Sequence, residues 1–364
     1  MAGGHLASSM AGKLKGIRPR SVCVLPIWRL RHAYPLSLGL LGFNPHSCFP
    51  FLLLVSDSHH ILRSGRLTLD CRRPVEGGAH LMGVLNITPD SFSDGGRYMD
   101  PDLALERARD MVREGAALID IGGASSRPKG TTYGVGAALI DAQEEKERIL
   151  PVIKRVAEAL PDVWISVDTF RADVAEEALA AGAHAINDIT ALRFDPDIAQ
   201  VVAARDVPLI LMHSVGMPGE MPHAKISPDI MTDVQSDLDR AVSVARLAGC
   251  RQLVLDPGFG FGKIPTDNVA LIAKTAELVS LGFPVLLGVS RKSTIAQIAP
   301  NADGELPSPE KRLPGSLALT GVGVAGGATI VRTHDVWQTS QYLRVLDATI
   351  RVTAGQKGSN EDVQ

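Results

Sequence analysis

The chain predicts an α/β fold, a (β/α)8 TIM barrel with a short N-terminal hairpin. Three observations carry that prediction. From Gly65 onward, short apolar strands alternate with stretches at helical spacing, the signature of βαβ units. Eight such strands can be drawn over about 270 residues, the count and length of a closed barrel. Almost every strand ends, on its carboxyl side, in the polar side chains through which such barrels act. A doubly wound open sheet is the alternative, but no GxGxxG follows the first strand.

Residues 1–63 differ from the rest of the chain. They are rich in Ser, Pro, Arg and His, and read as a disordered extension or as a start assigned too far upstream. No run approaches the roughly 20 apolar residues needed to span a bilayer. Acid-poor, Arg- and Ser-containing composition is shared with transit peptides, so organellar targeting is the alternative to a cytoplasmic location. Arg66–Asp70 alternates as a half-exposed strand, and with Cys71–Pro74 it is expected to form a small lid hairpin. Residues 64–355 make the barrel domain and 356–364 a disordered tail.

The barrel strands fall at Leu81–Ile87, Leu118–Gly122, Trp164–Asp168, Ala185–Ile189, Pro208–His213, Leu253–Asp256, Pro284–Val289 and Ala328–Arg332. Helices fall at Asp102–Gly115, Asp173–Gly182, Ile230–Gly249, Asn268–Gly282 and Trp337–Val352. Several end at a glycine just past the last turn, as helix C-termini commonly do.

Composition narrows the function classes. The chain is 45% hydrophobic and only 4% aromatic, with net charge −3. Residues 1–56 hold six Lys/Arg and no acid, so the rest carries 31 basic against 40 acidic side chains, a net −9. An acidic body without a basic stripe argues against nucleic-acid binding. Cys23, Cys48, Cys71 and Cys250 show no CxxC spacing, so neither a disulfide framework nor a zinc site is indicated.

The strand-end residues sort by chemistry. Asp168, Asn187 and Asp256, with Lys292, offer carboxylates, an amide and an ammonium, which suit a flat heterocycle with an amidine-like edge. Asn86, Ser125, Ser126, Arg127, Arg332 and His334 offer donors and positive charge, which suit a phosphate or diphosphate. The stretch LVLDPGFGFGK (253–263) adds glycines that let backbone approach a ligand and aromatics that can pack on a ring. A lone Asp after a strand is usually a cap or turn residue; eight polar strand ends in phase are hard to explain that way.

The sequence resembles the dihydropteroate synthases from about Gly65 to Val352. The motifs are MGVLNITPDSFSDGG (82–96), ISVDT (165–169), IND (186–188), LMH (211–213), LDPGFGFGK (255–263), SRKS (290–293) and VRTHDV (331–336). The resemblance implies a transferase that joins 6-hydroxymethyl-7,8-dihydropterin diphosphate to 4-aminobenzoate in folate synthesis, by an SN1-like displacement. It implies that Asp168, Asn187, Met212, Asp256, Phe261 and Lys292 hold the pterin. Asn86, Ser126, Arg127, Arg332 and His334 would hold the diphosphate, with Mg²⁺ at Asn86. Phe92, Pro128 and Ser290 would border the aminobenzoate pocket. Asp94, Asp256, Lys292 and Arg127 would carry the catalysis. The resemblance also implies a homodimer and a sulfonamide target.

Two departures stand out. Where the family usually reads GGESTRPG, this chain reads GGASSRPKG, with Ala124 for Glu and Ser126 for Thr. The segment after Pro128, KGTTYGVGAALIDAQEEKER, reads as a longer loop than usual. Ala124 motivates one alternative, a catalytically weak pterin-binding paralogue. Another is a methyltetrahydrofolate:corrinoid methyltransferase, which shares the pterin-binding barrel but needs no diphosphate pocket.

Overall fold

The computed structural model describes residues 60–72, 78–87, 100–124, 140–218 and 226–353. A hairpin comes first: β1 (Ile61–Ser64) pairs antiparallel with β2 (Leu67–Asp70). Eight parallel strands come next: β3 (His80–Asn86), β4 (Ala116–Gly122), β5 (Trp164–Asp168), β6 (Ala185–Asp188), β7 (Leu209–Met212), β8 (Leu253–Asp256), β9 (Leu286–Leu287) and β10 (Ile330–Thr333). Their order is β8-β7-β6-β5-β4-β3-β10-β9, and a parallel bridge from Leu255 to Val285 joins the two ends. The barrel is therefore closed. Its strands read as near-continuous apolar runs because helices cover one face and the barrel interior the other.

The helices are α1 (Pro101–Arg113), α2 (Ala142–Ala159), α3 (Ala172–Ala180), α4 (Ile198–Arg205), α5 (Ile230–Ala248), α6 (Pro265–Ala273), α7 (Thr275–Val279), α8 (Ser293–Ile298), α9 (Leu313–Gly326) and α10 (Val336–Thr353). The expected helix over Asn268–Gly282 is in fact two, α6 and α7. Helix α2 was hidden in the sequence by Pro151 in its middle. Asp141 caps it, accepting from the Glu144 N–H at 2.8 Å. Of the segment expected as a loop after Pro128, Ala142–Arg148 belong to α2. No helix among the described residues is long and apolar enough to cross a membrane.

The hairpin is not a lid over the mouth. Leu62, Leu69 and Cys71 pack with Met82, Leu118, Trp164, Ile210, Val254, Leu286 and Ile330, which form the lowest layer of the barrel interior. Gln252, just before β8, exchanges hydrogen bonds with the Arg63 backbone at 2.6 and 3.0 Å. His80, at the start of β3, bonds the Asp70 carbonyl at 2.8 Å. All these contacts lie at the amino ends of the strands. The partner of Leu67–Asp70 is also the preceding Ile61–Ser64, of which Ile61–Arg63 lie in the stretch read as extension, rather than Cys71–Pro74.

Side-chain alternation along each strand fixes the layers above that floor. On β4, Ile119 and Ile121 join the outer core beneath the helices, and Leu118 joins the floor. Asp120 and Gly122 share the inward face with Leu118. On β5 the inward set is Trp164, Ser166 and Asp168; on β10 it is Ile330 and Arg332. Apolar at the bottom and polar toward the carboxyl ends, the interior is a packed core that becomes a site at one end.

Candidate functional site

Register places the predicted site residues side by side. Asn86 pairs with Gly122, Gly122 with Asp168, and Asp168 with Asn187, so one row crosses four strands. Gly122 stands between the two side chains: a Cβ there would meet Asp168 Cβ at 3.4 Å and Asn86 Oδ1 at 3.8 Å, in ordinary contact. On the facing wall Met212 pairs with Asp256.

Asp256 is buried, and its Oδ1 accepts from the Gly258 N–H at 2.7 Å. Burial pushes its carboxyl up to about 6, against the pull of that N–H and of Lys292. Lys292, just ahead of α8, lies with Nζ 3.8 Å from the Phe261 ring centroid. Burial, reinforced by Arg332, lowers its ammonium to about 8. Phe261 and Met212 cluster with Phe170 and Ile189 in an apolar pad apart from the main core. The site thus offers acids and an ammonium at its edges and a flat apolar surface between them.

Arg332 joins what the sequence kept separate. Its Nε donates to Asp120 Oδ2 at 2.6 Å and its Nη2 to Asp168 Oδ2 at 3.2 Å. The residue assigned to the diphosphate is thus paired with a residue assigned to the pterin. Burial raises Asp168 above the usual carboxylate range; Arg332 opposes this and Asp120 reinforces it. Next to Arg332, His334 presents Nδ1 to Ser290 Oγ at 3.0 Å, and its backbone N–H donates to the same oxygen at 3.2 Å. Burial and the cations Arg332, Arg291 and Lys292 push the imidazole down to about 3. In the unliganded site His334 is therefore a neutral hydrogen-bonding group, not a third positive charge. Arg291 faces Asp335 with two hydrogen bonds, at 3.0 and 2.5 Å.

Other strand-end polar groups are structural. Asp188 accepts from the Thr190 N–H, the Thr190 hydroxyl and the Leu192 N–H at 2.6–2.8 Å, holding a turn. His213 Nε2 lies 3.3 Å from Asp237 on α5. Lys263 is buried and donates to the carbonyls of Gly258, His213 and Phe261 at 2.7, 3.2 and 3.4 Å. It cross-links the loops after β7 and β8. Gly258 adopts φ +66, and a Cβ there would lie 1.7 Å from the His213 carbonyl oxygen. This is why the glycine-rich run cannot be built from other residues.

Phe92, Asp94, Ser125, Ser126, Arg127 and Pro128 lie outside the described residues. Ala124, the last residue described before that gap, is half-buried. Behind it, Arg148 donates to the Gly123 carbonyl at 2.9 Å, and buried Glu145 pairs with Arg171. Sequence reasoning missed Asp120, Lys263, Phe170 and Ile189. Asp120 sits mid-strand in LIDIG, and attention to strand ends passes over it; strict alternation from Leu118 would have placed it inward.

The carboxyl mouth of the barrel gathers acids, an ammonium and an apolar pad, and the chain belongs to the pterin binding enzyme family, whose model matches residues 82–334. Its similar relatives narrow the family further. It is 43% identical over 272 residues to the dihydropteroate synthase of Bacillus subtilis, covering 74% of this chain and 88% of that one. The Xanthomonas albilineans dihydropteroate synthase solved with 4-aminobenzoic acid superposes with TM-score 0.70 at 39% identity, covering 80% of this chain and 98% of the other. The Yersinia pestis dihydropteroate synthase solved as a sulfonamide drug complex gives TM-score 0.70 at 40% identity, covering 80% and 99%.

Proposed function

We propose that this chain is a transferase that condenses 6-hydroxymethyl-7,8-dihydropterin diphosphate with 4-aminobenzoate, giving 7,8-dihydropteroate and diphosphate. The observation that carries this is the in-register row Asn86–Gly122–Asp168–Asn187 facing Asp256 and Lys292. Asp256 accepts from the amino and ring N–H edge of the pterin. Phe261 and Met212 pack on the ring, and Asp168 and Asn187 meet its other edge.

Among the described residues no group of three or more His, Cys, Asp or Glu could cage a metal ion. Mg²⁺ normally keeps several waters and takes other oxygens from phosphates. The single side-chain oxygen of Asn86 at the mouth fits a Mg²⁺ that arrives with the diphosphate, where it would neutralise part of that charge. The protein's own residues do the rest. Arg332, with Arg127, stabilises the negative charge that grows on the diphosphate as the exocyclic C–O bond breaks and the electron pair leaves with oxygen. His334 donates a hydrogen bond to the same group. Asp256, with Asp94, stabilises the positive charge on the pterin electrostatically. The aminobenzoate nitrogen, bordered by Phe92, Pro128 and Ser290, then attacks the carbon and releases its proton to solvent. Bond breaking precedes bond making, so the displacement is SN1-like. The same reading gives a homodimer in the cytoplasm, checked by analytical ultracentrifugation and by fractionation.

Purified chain with the pterin diphosphate, aminobenzoate and Mg²⁺ should release diphosphate and form dihydropteroate. Pterin binding without release would instead identify a catalytically weak paralogue. Slow release without aminobenzoate, and scrambling at a chirally labelled exocyclic carbon, are expected. Clean inversion with strict dependence on aminobenzoate would replace the SN1 account with SN2.

A further inference from the structure

Asp120 takes no part in the chemistry above, yet it is the charge at the centre of the barrel. It is 0% exposed. Its Oδ2 accepts from both Arg332 Nε, at 2.6 Å, and Asn187 Nδ2, at 3.1 Å. Two residues further along β4 stands Gly122, which has no side chain to cover it. A buried carboxylate is costly to desolvate and is retained where its partners need it.

Those partners gain orientation. The two ends of an asparagine amide are nearly isosteric, one a donor and the other an acceptor. A carboxylate accepts, so Asp120 forces Asn187 Nδ2 inward and leaves Oδ1 on the other side. Asn187 Oδ1 is buried and makes no hydrogen bond to another protein atom. It is thereby set as an acceptor for a ligand N–H. Arg332 gains a fixed counter-charge at Nε. Its Nη2 can then exchange Asp168 for a phosphate oxygen without the guanidinium losing its place. Beside Asp120 in register stands Ser166, whose buried Oγ also has no protein partner, so nothing on β5 competes for the carboxylate.

We propose that Asp120 is the positioning residue of the pterin site, fixing Asn187 as an acceptor toward the heterocycle and holding Arg332 between the pterin and diphosphate subsites. It acts through those two side chains. This rests on the pterin reading above, so wild-type binding of a 6-hydroxymethyl-dihydropterin ligand is measured first by calorimetry. No binding there sinks that reading and says nothing against Asp120.

With wild-type binding established, Asp120→Asn should weaken the pterin ligand by about tenfold or more and raise its KM, as loss of a charged hydrogen-bond partner does. The aminobenzoate KM should stay within about twofold. In an Asn187→Ala background the same substitution should cost less than it does in the wild type, leaving only the share that acts through Arg332. The exchange D120N/N187D keeps volume and charge, so it tests the idea even where the single variant folds poorly. It should fold, yet bind the pterin ligand about tenfold more weakly, since a carboxylate and a reversed amide now occupy the two places. Wild-type affinity in the exchange, or equal losses in both backgrounds, would overturn the proposal.

Discussion

Arg332 Nη2 lies 3.2 Å from Asp168 Oδ2, so the cation assigned to the leaving group and an acid assigned to the ring are bound to each other before any ligand arrives. With Asp120 on its Nε, one guanidinium holds two inward carboxylates. The two subsites are therefore one electrostatic unit. Arg332→Gln leaves both acids without their cation. The expected loss of stability is about 3–5 kcal/mol, the cost of breaking a buried pair, read by urea unfolding. The expected loss in kcat is about 10²–10³, as for removing a donor from a developing anion. Unchanged stability would show that Asp120 finds another partner.

Pterin binding should depend on pH at both ends. Asp256 is raised from 3.8 to about 6, so a pterin that donates to the carboxylate loses affinity as pH falls below about 6. Lys292 is lowered from 10.5 to about 8, so its cation is lost as pH rises above about 8. Calorimetry should give its highest affinity between these values. The unliganded fold responds differently. Asp256, with a raised folded pKa, contributes stability that is present below pH 3.8 and lost as pH rises through about 6. Affinity that stays flat from about pH 5 to about pH 9 would remove both groups from ligand binding.

Lys263 holds three carbonyls from two loops, and one of them belongs to Phe261. Lys263→Met leaves the buried His213 carbonyl without its donor, at about 1–3 kcal/mol, while the Gly258 and Phe261 carbonyls keep their bonds from the Phe261 and Val215 N–H groups. Because Phe261 and Gly258 shape the ring pad, pterin affinity should fall with the melting temperature, while Lys263→Arg should recover part of both. A melting temperature equal to wild type in Lys263→Met would show that the loops hold themselves.

The hairpin offers the opposite case. Leu69 is buried against the barrel floor, at the end remote from the chemistry. Leu69→Ala should cost about 2–5 kcal/mol, as a large-to-small core change does. Both KM values should remain at wild type, because function in this fold belongs to the other face. Denaturation and steady-state kinetics on the same sample separate the two, and a changed pterin KM would show that floor and mouth are coupled.

Helices α2, α4, α8 and α9 were not readable in the chain, whereas the order of the eight barrel strands, the ring of polar strand ends and the family were. They depend on local periodicity and on short contiguous motifs, which sequence carries directly. LVLDPGFGFGK shows the limit of such reading. Its glycines and its acid were legible as a ligand-facing loop. Only the fold reveals that Gly258 is forced by the His213 carbonyl and that Lys263 binds three backbone oxygens. The hairpin's two strands obey the same rule, since which end of the barrel they close depends on contacts with Met82 and Val254, far away in sequence. Asp120 is the strongest instance. In LIDIG it is one acid among apolar neighbours, and whether it faces helices or the barrel axis is a matter of phase. Closure of the sheet brought it beneath Asn187 and Arg332, from two strands that are distant in the chain, and that convergence is what tertiary structure alone decides.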